Sequence, residues 1–301
     1  MSETPARTFL VEGLAVPAKA IPTGLYVIAT PIGNLGDVTL RALATLAAAD
    51  MVACEDTRVT AVLLRRYGIA AKLMPYHEHN AARQRPKILS ALAEGKAVAL
   101  VSDAGTPLIS DPGFRLVGDV RAAGYPVIPI PGASALLAAL VAAGLPTDAF
   151  LFAGFLPPKT VARKKRLAEL AAIPATLAFF ESPQRVAASL ADMADVLGET
   201  RPAAVARELT KTFETIRTGT LIELAEAYAA EATPKGEIVV VVGPPGENAT
   251  SLGDVDALLV ELLGAKPVGE AAAEAASLTG LPRRDLYKRA LALKAGGDGA
   301  E

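Results

Sequence analysis

Residues 97–112 read AVALVSDAGTPLISDP, and the order of residue types in this stretch decides the fold class. Ala97 to Val101 is an unbroken apolar run, the pattern of a strand buried on both faces of a parallel sheet. Ser102, Asp103, Ala104, Gly105, Thr106 and Pro107 follow. Small, polar and glycine residues of this kind make a tight loop whose backbone can approach a ligand closely. Ser110, Asp111 and Pro112 then supply cap residues and a proline of the sort that opens a helix. Strand, glycine-bearing loop and helix in succession describe the crevice where open α/β sheets hold small molecules. The same succession also describes a plain strand-to-helix turn, and fold-level form alone does not choose between the two.

Outward from this stretch the alternation repeats. Leu25 to Ala29 reads as a strand, followed by a loop from Thr30 to Asp37 and a helix with Leu40, Leu43, Ala44 and Ala47 on one face. Further strands are predicted at Met51 to Cys54, Lys72 to Tyr76 and Pro126 to Ile130, with Glu55, Asp56, Thr57 and Arg58 at the end of the first of these. Pro131, Gly132, Ala133 and Ser134 open an alanine-rich helix. Such alternation predicts an α/β fold with a parallel sheet and helices on both faces. A second α/β unit begins near Ala149. Its predicted strands are Ala149 to Phe155, Ala175 to Phe180, Ala203 to Leu209 and Lys235 to Val242, with helices at Val161 to Ala171 and Gln184 to Leu197. We therefore expect domains over 24–146 and 147–243.

Gly243 to Gly253 reads as a linker, and three short helical patterns follow it: Asp254 to Leu263, Val268 to Ser277 and Arg283 to Leu293. The last two are joined by LTGLP, which gives 254–294 the form of a helix-turn-helix tail. Its final helix sets Arg283, Arg284, Lys288, Arg289 and Lys294 against the single acid Asp285. A charged helix of this kind is either a solvated face or a nucleic-acid contact.

Composition sets the outer bounds. With 301 residues, 51% of them hydrophobic, the chain can bury a large core in two or more domains. A formal net charge of −2 excludes general attraction to nucleic acid, so any such contact must rest on local patches. The single cysteine, Cys54, allows no intrachain disulfide and points to a reducing, cytoplasmic setting; it lies in an apolar run and reads as a small buried hydrophobe. The two histidines, His77 and His79, flank Glu78 and have no cysteine nearby, so no metal site is expected. Residues 1–23 hold Pro5, Pro17 and Pro22 without a continuous apolar run and read as a disordered leader rather than a signal peptide. No apolar run reaches membrane-spanning length, so no membrane role is expected. Gly33-x-x-Gly36 is neither a dinucleotide fingerprint nor a Walker A loop, and there is no G-x-S-x-G elbow. Residue types alone thus point to a cleft enzyme or a small-molecule binder.

A resemblance narrows this. The strings LYVIATPIGNLGDVTLRAL, CEDTR, YHEHN, ALVSDAGTPLISDPG, PIPGASA, FLPPK, FFESPQR, ARELTKTFE and KGEIVVVVG occur in order between Leu25 and Val242. Together they resemble the small-subunit (16S) ribosomal RNA cytidine 2'-O-methyltransferases, a family of the tetrapyrrole (corrin/porphyrin) methylase superfamily. The tail is similar to that family's small helix-turn-helix. The resemblance implies two α/β domains with S-adenosyl-L-methionine in the cleft between them. It implies cofactor contacts from Pro31, from the loop of Asp103, Ala104, Gly105, Thr106 and Pro107, and from Ser134 and Ala135. In the second domain it implies Phe180, Glu181, Arg207, Glu208, Gly236 and Glu237. A homodimer is implied by analogy with the superfamily, and small-subunit ribosomal RNA is the implied partner.

Methyl transfer to a 2'-hydroxyl requires loss of the hydroxyl proton, which a nearby carboxylate can take. Asp103, Glu55 and Glu208 are candidates, with Asp56 and Glu181 beside them, and the sequence does not select among them. Arg58, Arg65, Arg66, Lys159, Arg163, Lys164, Lys165, Arg166, Arg283, Arg284, Lys288 and Arg289 are candidates for holding RNA phosphates, each with a solvated-face alternative. Two other functions stay open: methylation of a tetrapyrrole, and a ligand-sensing regulator whose tail binds nucleic acid.

Overall fold

A computed structural model describes residues 7–109, 114–246, 252–279 and 281–297. The expected helix start at Ser110 to Pro112 lies outside the described residues, as do residues 247–251 of the linker. In chain order the elements are β1 (Thr8–Val11), β2 (Leu14–Pro17), β3 (Gly24–Ile28), α1 (Leu40–Ala48), β4 (Met51–Cys54), α2 (Thr57–Arg66), β5 (Leu73–Pro75), α3 (Ala81–Ala93), β6 (Ala97–Val101), α4 (Phe114–Ala122), β7 (Val127–Ile130) and α5 (Ala135–Ala142). Then come β8 (Phe150–Phe155), α6 (Thr160–Leu170), β9 (Thr176–Glu181), α7 (Val186–Leu197), β10 (Pro202–Arg207), β11 (Thr215–Thr220), α8 (Leu221–Ala230), β12 (Ile238–Val242), α9 (Leu252–Ala265), α10 (Val268–Thr279) and α11 (Arg283–Gly297). They fall into two units. One holds residues up to Ala139 together with Arg207–Thr215; the other holds Leu140–Ala206 and everything from Ile216 on.

The first unit is built on a five-stranded sheet of order β5-β4-β6-β3-β7. The pairings of β3 with β6 and β7, and of β4 with β5 and β6, are parallel. All five residues of β3 and of β6 are buried, which is why both read as apolar runs. Alternate residues serve opposite faces. Tyr26, Ile28, Ala97, Ala99 and Val101 join one core with α1 and α2, while Leu25, Val27, Val98 and Leu100 join a second core with α3 and α4. Side-chain caps fix the helix starts: Thr39 Oγ1 accepts from Ala42 N, and Asp56 accepts from Arg58 N.

The leader departs from expectation. Residues 8–17 form an antiparallel hairpin, β1 with β2, around a turn at Glu12 and Gly13, where φ is +49° and +83°. Two successive positive φ values are what a two-residue hairpin turn requires. Phe9 is only 4% exposed and joins the α1 side of the core, while Leu10 N donates to Tyr67 O at 2.7 Å. One buried aromatic and a backbone tie to the end of α2 thus order a segment whose prolines and short strands suggested disorder.

The second unit has a mixed sheet of order β11-β10-β12-β9-β8. Here β8 runs parallel to β9, and β12 runs antiparallel to β9. α8 begins in a reciprocal cap between Thr220 and Glu223. The strand expected to reach Leu209 ends at Arg207, because Glu208 adopts φ +53° and Thr210 φ +66°. In the tail, α9, α10 and α11 close over their own small core of Val255, Leu259, Ala272, Ala275, Leu286 and Ala290. Among the described residues no helix is long and apolar enough to cross a membrane, and no group of three or more His, Cys, Asp or Glu could hold a metal ion.

Candidate active site

Three neighbouring parallel strands, β4, β6 and β3, deliver their loops to one edge of the first sheet. The loops are fastened to each other by backbone. Thr30 N donates to Gly105 O at 2.9 Å, and Gly105 N returns a bond to Thr30 O at 3.0 Å. Thr30 Oγ1 also donates to Ser102 O at 3.2 Å. Gly105 has φ +74°, and a Cβ there would sit 3.3 Å from the Ile32 side chain, so both conformation and space favour glycine. Asp56 N donates to Asp103 Oδ1 at 2.9 Å, which joins the loop after β4 to the loop after β6 and orients the Asp103 carboxylate. Thr106 Oγ1 donates to Ala133 O at 3.3 Å and brings in the loop after β7, where Ser134 Oγ accepts from Leu137 N at 3.5 Å.

These loops border a cleft of roughly 230 Å³. Thr30, Ser102 and Asp103 form its polar side with Pro31 beside them, and Val59, Val62 and Leu63 of α2 form an apolar wall. Val59 and Val62 are exposed, so the wall is open to a ligand. A volume below about 300 Å³ suits one end of a cofactor-sized molecule rather than all of it. Of the expected carboxylates, Asp103 lies on the cleft wall and Glu55 is half-buried at the end of β4. Asp56 is tied to Arg58 at 2.6 Å, and that guanidinium lowers its carboxyl to about 2.

The Arg207–Thr215 segment belongs to this same unit. Lys211 Nζ pairs with Glu208 Oε1 at 2.7 Å. The Lys211 stem crosses Gly33 so closely that a Cβ on Gly33 would lie 2.4 Å from Lys211 Cγ. Gly33 is therefore a packing glycine, and Lys211 is a neighbour of the Thr30–Asp37 loop that sequence reading missed. The two positive φ values at Glu208 and Thr210 gave no sequence signal, since neither residue is glycine. Arg207 donates from Nε to Thr215 Oγ1 at 3.2 Å and from Nη2 to Phe213 O at 3.3 Å, holding the segment closed.

A second group of expected cofactor residues lies in the other unit. Phe180 makes edge contacts with Phe152 and Phe155, their centroids 4.8 and 5.6 Å away. Ile238 pairs with Glu181 across β12 and β9, which puts Gly236 and Glu237 just beyond that pair. Gly236 has φ +95°. The Glu181 carboxylate, expected beside the cofactor, is engaged within its own unit. Its side chain is 1% exposed, and it accepts from Ser182 N at 2.7 Å and Ser189 Oγ at 2.5 Å while facing Arg185 Nε at 3.3 Å. It is a buried anchor within its own unit and is not placed to serve as a base.

The basic candidates also divide. Arg163 is only 3% exposed and grips Asp192 at 2.6 Å, with further bonds to Pro158 O and Thr160 Oγ1. It holds α6 to α7 and is almost wholly buried, so it is not the phosphate contact expected of it. Lys164 pairs with Asp195 at 2.7 Å, Arg166 with Glu169 at 2.9 Å and Arg289 with Asp256 at 2.7 Å. Arg283 donates to Gly269 O at 3.3 Å. Arg65, Arg66, Lys159, Lys165, Arg284 and Lys288 are exposed.

Comparison with known proteins now bears on these loops. Residues 24–225 match the model for Tetrapyrrole (Corrin/Porphyrin) Methylases, and residues 249–294 match the RsmI C-terminal HTH domain. The ribosomal RNA small subunit methyltransferase I of Mesorhizobium japonicum is 59% identical over 285 residues, covering 95% of this chain and 97% of that one. The protein of the same name from Pseudomonas aeruginosa is 49% identical over 275 residues, covering 89% of this chain and 96% of that one. The chain belongs to the ribosomal RNA small subunit methyltransferase I family. The chain carries the tetrapyrrole-methylase fold, and its likeness to solved structures agrees with this. A cobalt precorrin-4 methyltransferase matches with a TM-score of 0.57 at 22% identity, over 73% of this chain and 94% of that one. A Thermus thermophilus uroporphyrin-III C-methyltransferase complexed with S-adenosyl homocysteine matches with a TM-score of 0.51 at 21% identity, over 73% of this chain and 97% of that one. At such identities the likeness concerns fold alone.

Proposed function

We propose that this chain methylates the ribose 2'-hydroxyl of a cytidine in small-subunit ribosomal RNA, with S-adenosylmethionine as donor, in the cytoplasm. The observation that carries this reading is the 59% identity to a ribosomal RNA small subunit methyltransferase I over nearly the whole of both chains. The first unit's loops fit such a cofactor. Gly105 keeps the backbone bare where a side chain would be strained, and an apolar wall of Val59, Val62 and Leu63 stands opposite polar loop atoms. Pro31, Asp103 to Pro107, Ser134 and Ala135 are the residues that would hold it. When bound, that cofactor supplies an activated methyl group.

The chain's own residues then have two tasks: to orient the ribose and to receive the hydroxyl proton. Much of the rate follows from the first, since the methyl is already activated. For the second we favour Asp103 over Glu55 and Glu208. Asp103 lines the cleft and one of its carboxylate oxygens accepts from Asp56 N, whereas Glu208 is paired with Lys211.

The test is incubation with labelled S-adenosylmethionine and purified small ribosomal subunits, followed by mass spectrometry of the nucleosides. A 2'-O-methylcytidine is expected; a methyl on a base, or on a porphyrinoid supplied in its place, overturns the reading. Asp103→Asn should lower kcat by about 10²- to 10⁴-fold, a larger loss than any change in cofactor affinity measured on the same variant. Full turnover in that variant would remove Asp103 from the proton's path.

A further inference from the structure

The tail has an outer face that its own packing leaves unused. On α11, Leu286 and Ala290 point into the tail's core and Leu293 packs against it. Positions 284, 287, 288 and 291 are three and four residues apart and occupy the opposite side of the helix. There Tyr287 is 43% exposed and Leu291 46%. Arg284 and Lys288 stand three residues before and one after the tyrosine, both exposed, and neither forms an ion pair among the described residues. The other two cations of this helix that sequence reading assigned to RNA are engaged within the tail: Arg289 by Asp256 through two bonds of 2.7 Å, and Arg283 at Gly269 O. Gly269, in the first turn of α10, lies beside the tyrosine ring; a Cβ there would be 4.0 Å from Tyr287 Cε2. One edge of the ring is thus supported, and cations stand on both sides of it.

A solvated helix face has no need of an aromatic between two uncommitted cations. We propose that Tyr287 is a stacking platform for an unpaired RNA base, with Arg284 and Lys288 holding the phosphates on either side and Leu291 extending the apolar surface. The inference rests on the RNA substrate proposed above. Its chemistry selects unpaired RNA. The deep, narrow major groove of an A-form helix does not admit side chains, whereas splayed bases stack on aromatic rings. Besides Arg284 and Lys288 this face carries Tyr287 and Leu291, and an exposed ring that stacks on a base serves an unpaired strand, since the bases of a duplex are already stacked on each other. The occupant is therefore a loop, a bulge or a single-stranded segment.

The experiment uses the full chain and two fluorescent probes, a short unstructured RNA and the same sequence as a duplex. Tyr287→Ala should weaken binding of the single strand about tenfold. Tyr287→Phe should bind as the parent does, and neither variant should alter duplex binding. Replacing Arg284 and Lys288 together by glutamine should lower the slope of log affinity against log salt by about 1.4, two phosphates at about 0.7 each. The platform is overturned if Tyr287→Ala binds the strand unchanged, if strand and duplex lose affinity equally, or if Tyr287→Phe fails as badly as alanine. It is also overturned if Leu291→Asp changes the sedimenting mass of the free protein, which would make this face a contact between protein chains. Methyl transfer to small ribosomal subunits is measured in parallel. A parent protein that methylates no RNA fails the proposed function; one that methylates while Tyr287→Ala binds the strand normally fails only the platform.

Discussion

Two helices carry the densest basic sequence in the chain, and they use it in opposite ways. α6 has Arg163, Lys164, Lys165 and Arg166 in succession; α11 has Arg283, Arg284, Lys288 and Arg289. On α6 three of the four are committed: Arg163 to Asp192, Lys164 to Asp195 and Arg166 to Glu169. Two of those acids stand on α7, so the run is a clasp between helices. On α11 the acids reach only one flank, and the outward face keeps Arg284 and Lys288 exposed. Whether a cation is available to a partner is thus settled by carboxylates on the neighbouring helix, and the local count of lysines and arginines says little about it.

The comparison can be broken most directly at Arg163. Removing one partner of a buried ion pair leaves the other charge uncompensated, so Arg163→Ala should cost about 3–5 kcal/mol in urea unfolding. The salt dependence of RNA binding should stay as it is. A shallower salt slope with stability intact would mean that α6 faces RNA after all. Next in size, Asp195→Asn frees Lys164 from its closest acid. That pair is largely exposed, and so its loss should cost no more than about 1 kcal/mol. The opposite result is expected on α11: Arg284→Gln with Lys288→Gln should leave stability within about 0.5 kcal/mol of the parent. A marked loss there would show that these side chains are structural.

The smallest effect concerns pH. Arg289, by hydrogen bonding and charge, holds the Asp256 carboxyl below its usual 3.8. A lowered folded value means that the pair supports the tail fully above pH 3.8 and that this support fades as pH falls through the lowered value. Hydrogen exchange of α11 should therefore separate the parent from Asp256→Asn near neutrality and bring them together in acid. Curves that stay apart at the acid end would show that the substitution acts on packing.

Much of this architecture was legible because burial on both faces leaves a plain mark. β6 and β12 read as apolar runs, and all their residues are buried. The glycine-bearing loop after β6 was legible for a similar reason, since few residue types tolerate the Gly105 backbone. Distant partners left no mark. Nothing around Arg163 announces Asp192, 29 residues on. The backbone reversals at Glu208 and Thr210 use residues that ordinarily avoid them, so the approach of Lys211 to Gly33 could not be read. The β1–β2 hairpin was missed because four-residue strands carry too little pattern, and one phenylalanine in the core decides their order.

The reciprocal bonds between Thr30 and Gly105 also govern how these loops can change. Two bonds of 2.9 and 3.0 Å weld the loop after β3 to the loop after β6, so neither can lengthen alone. An inserted residue on either side would shift the register and strip both bonds, taking these partners from four backbone groups of two buried residues. Drift in this part of the molecule must then proceed by substitution at fixed length, or by matched changes in both loops. Variation in loop length is left to segments that no such weld restrains.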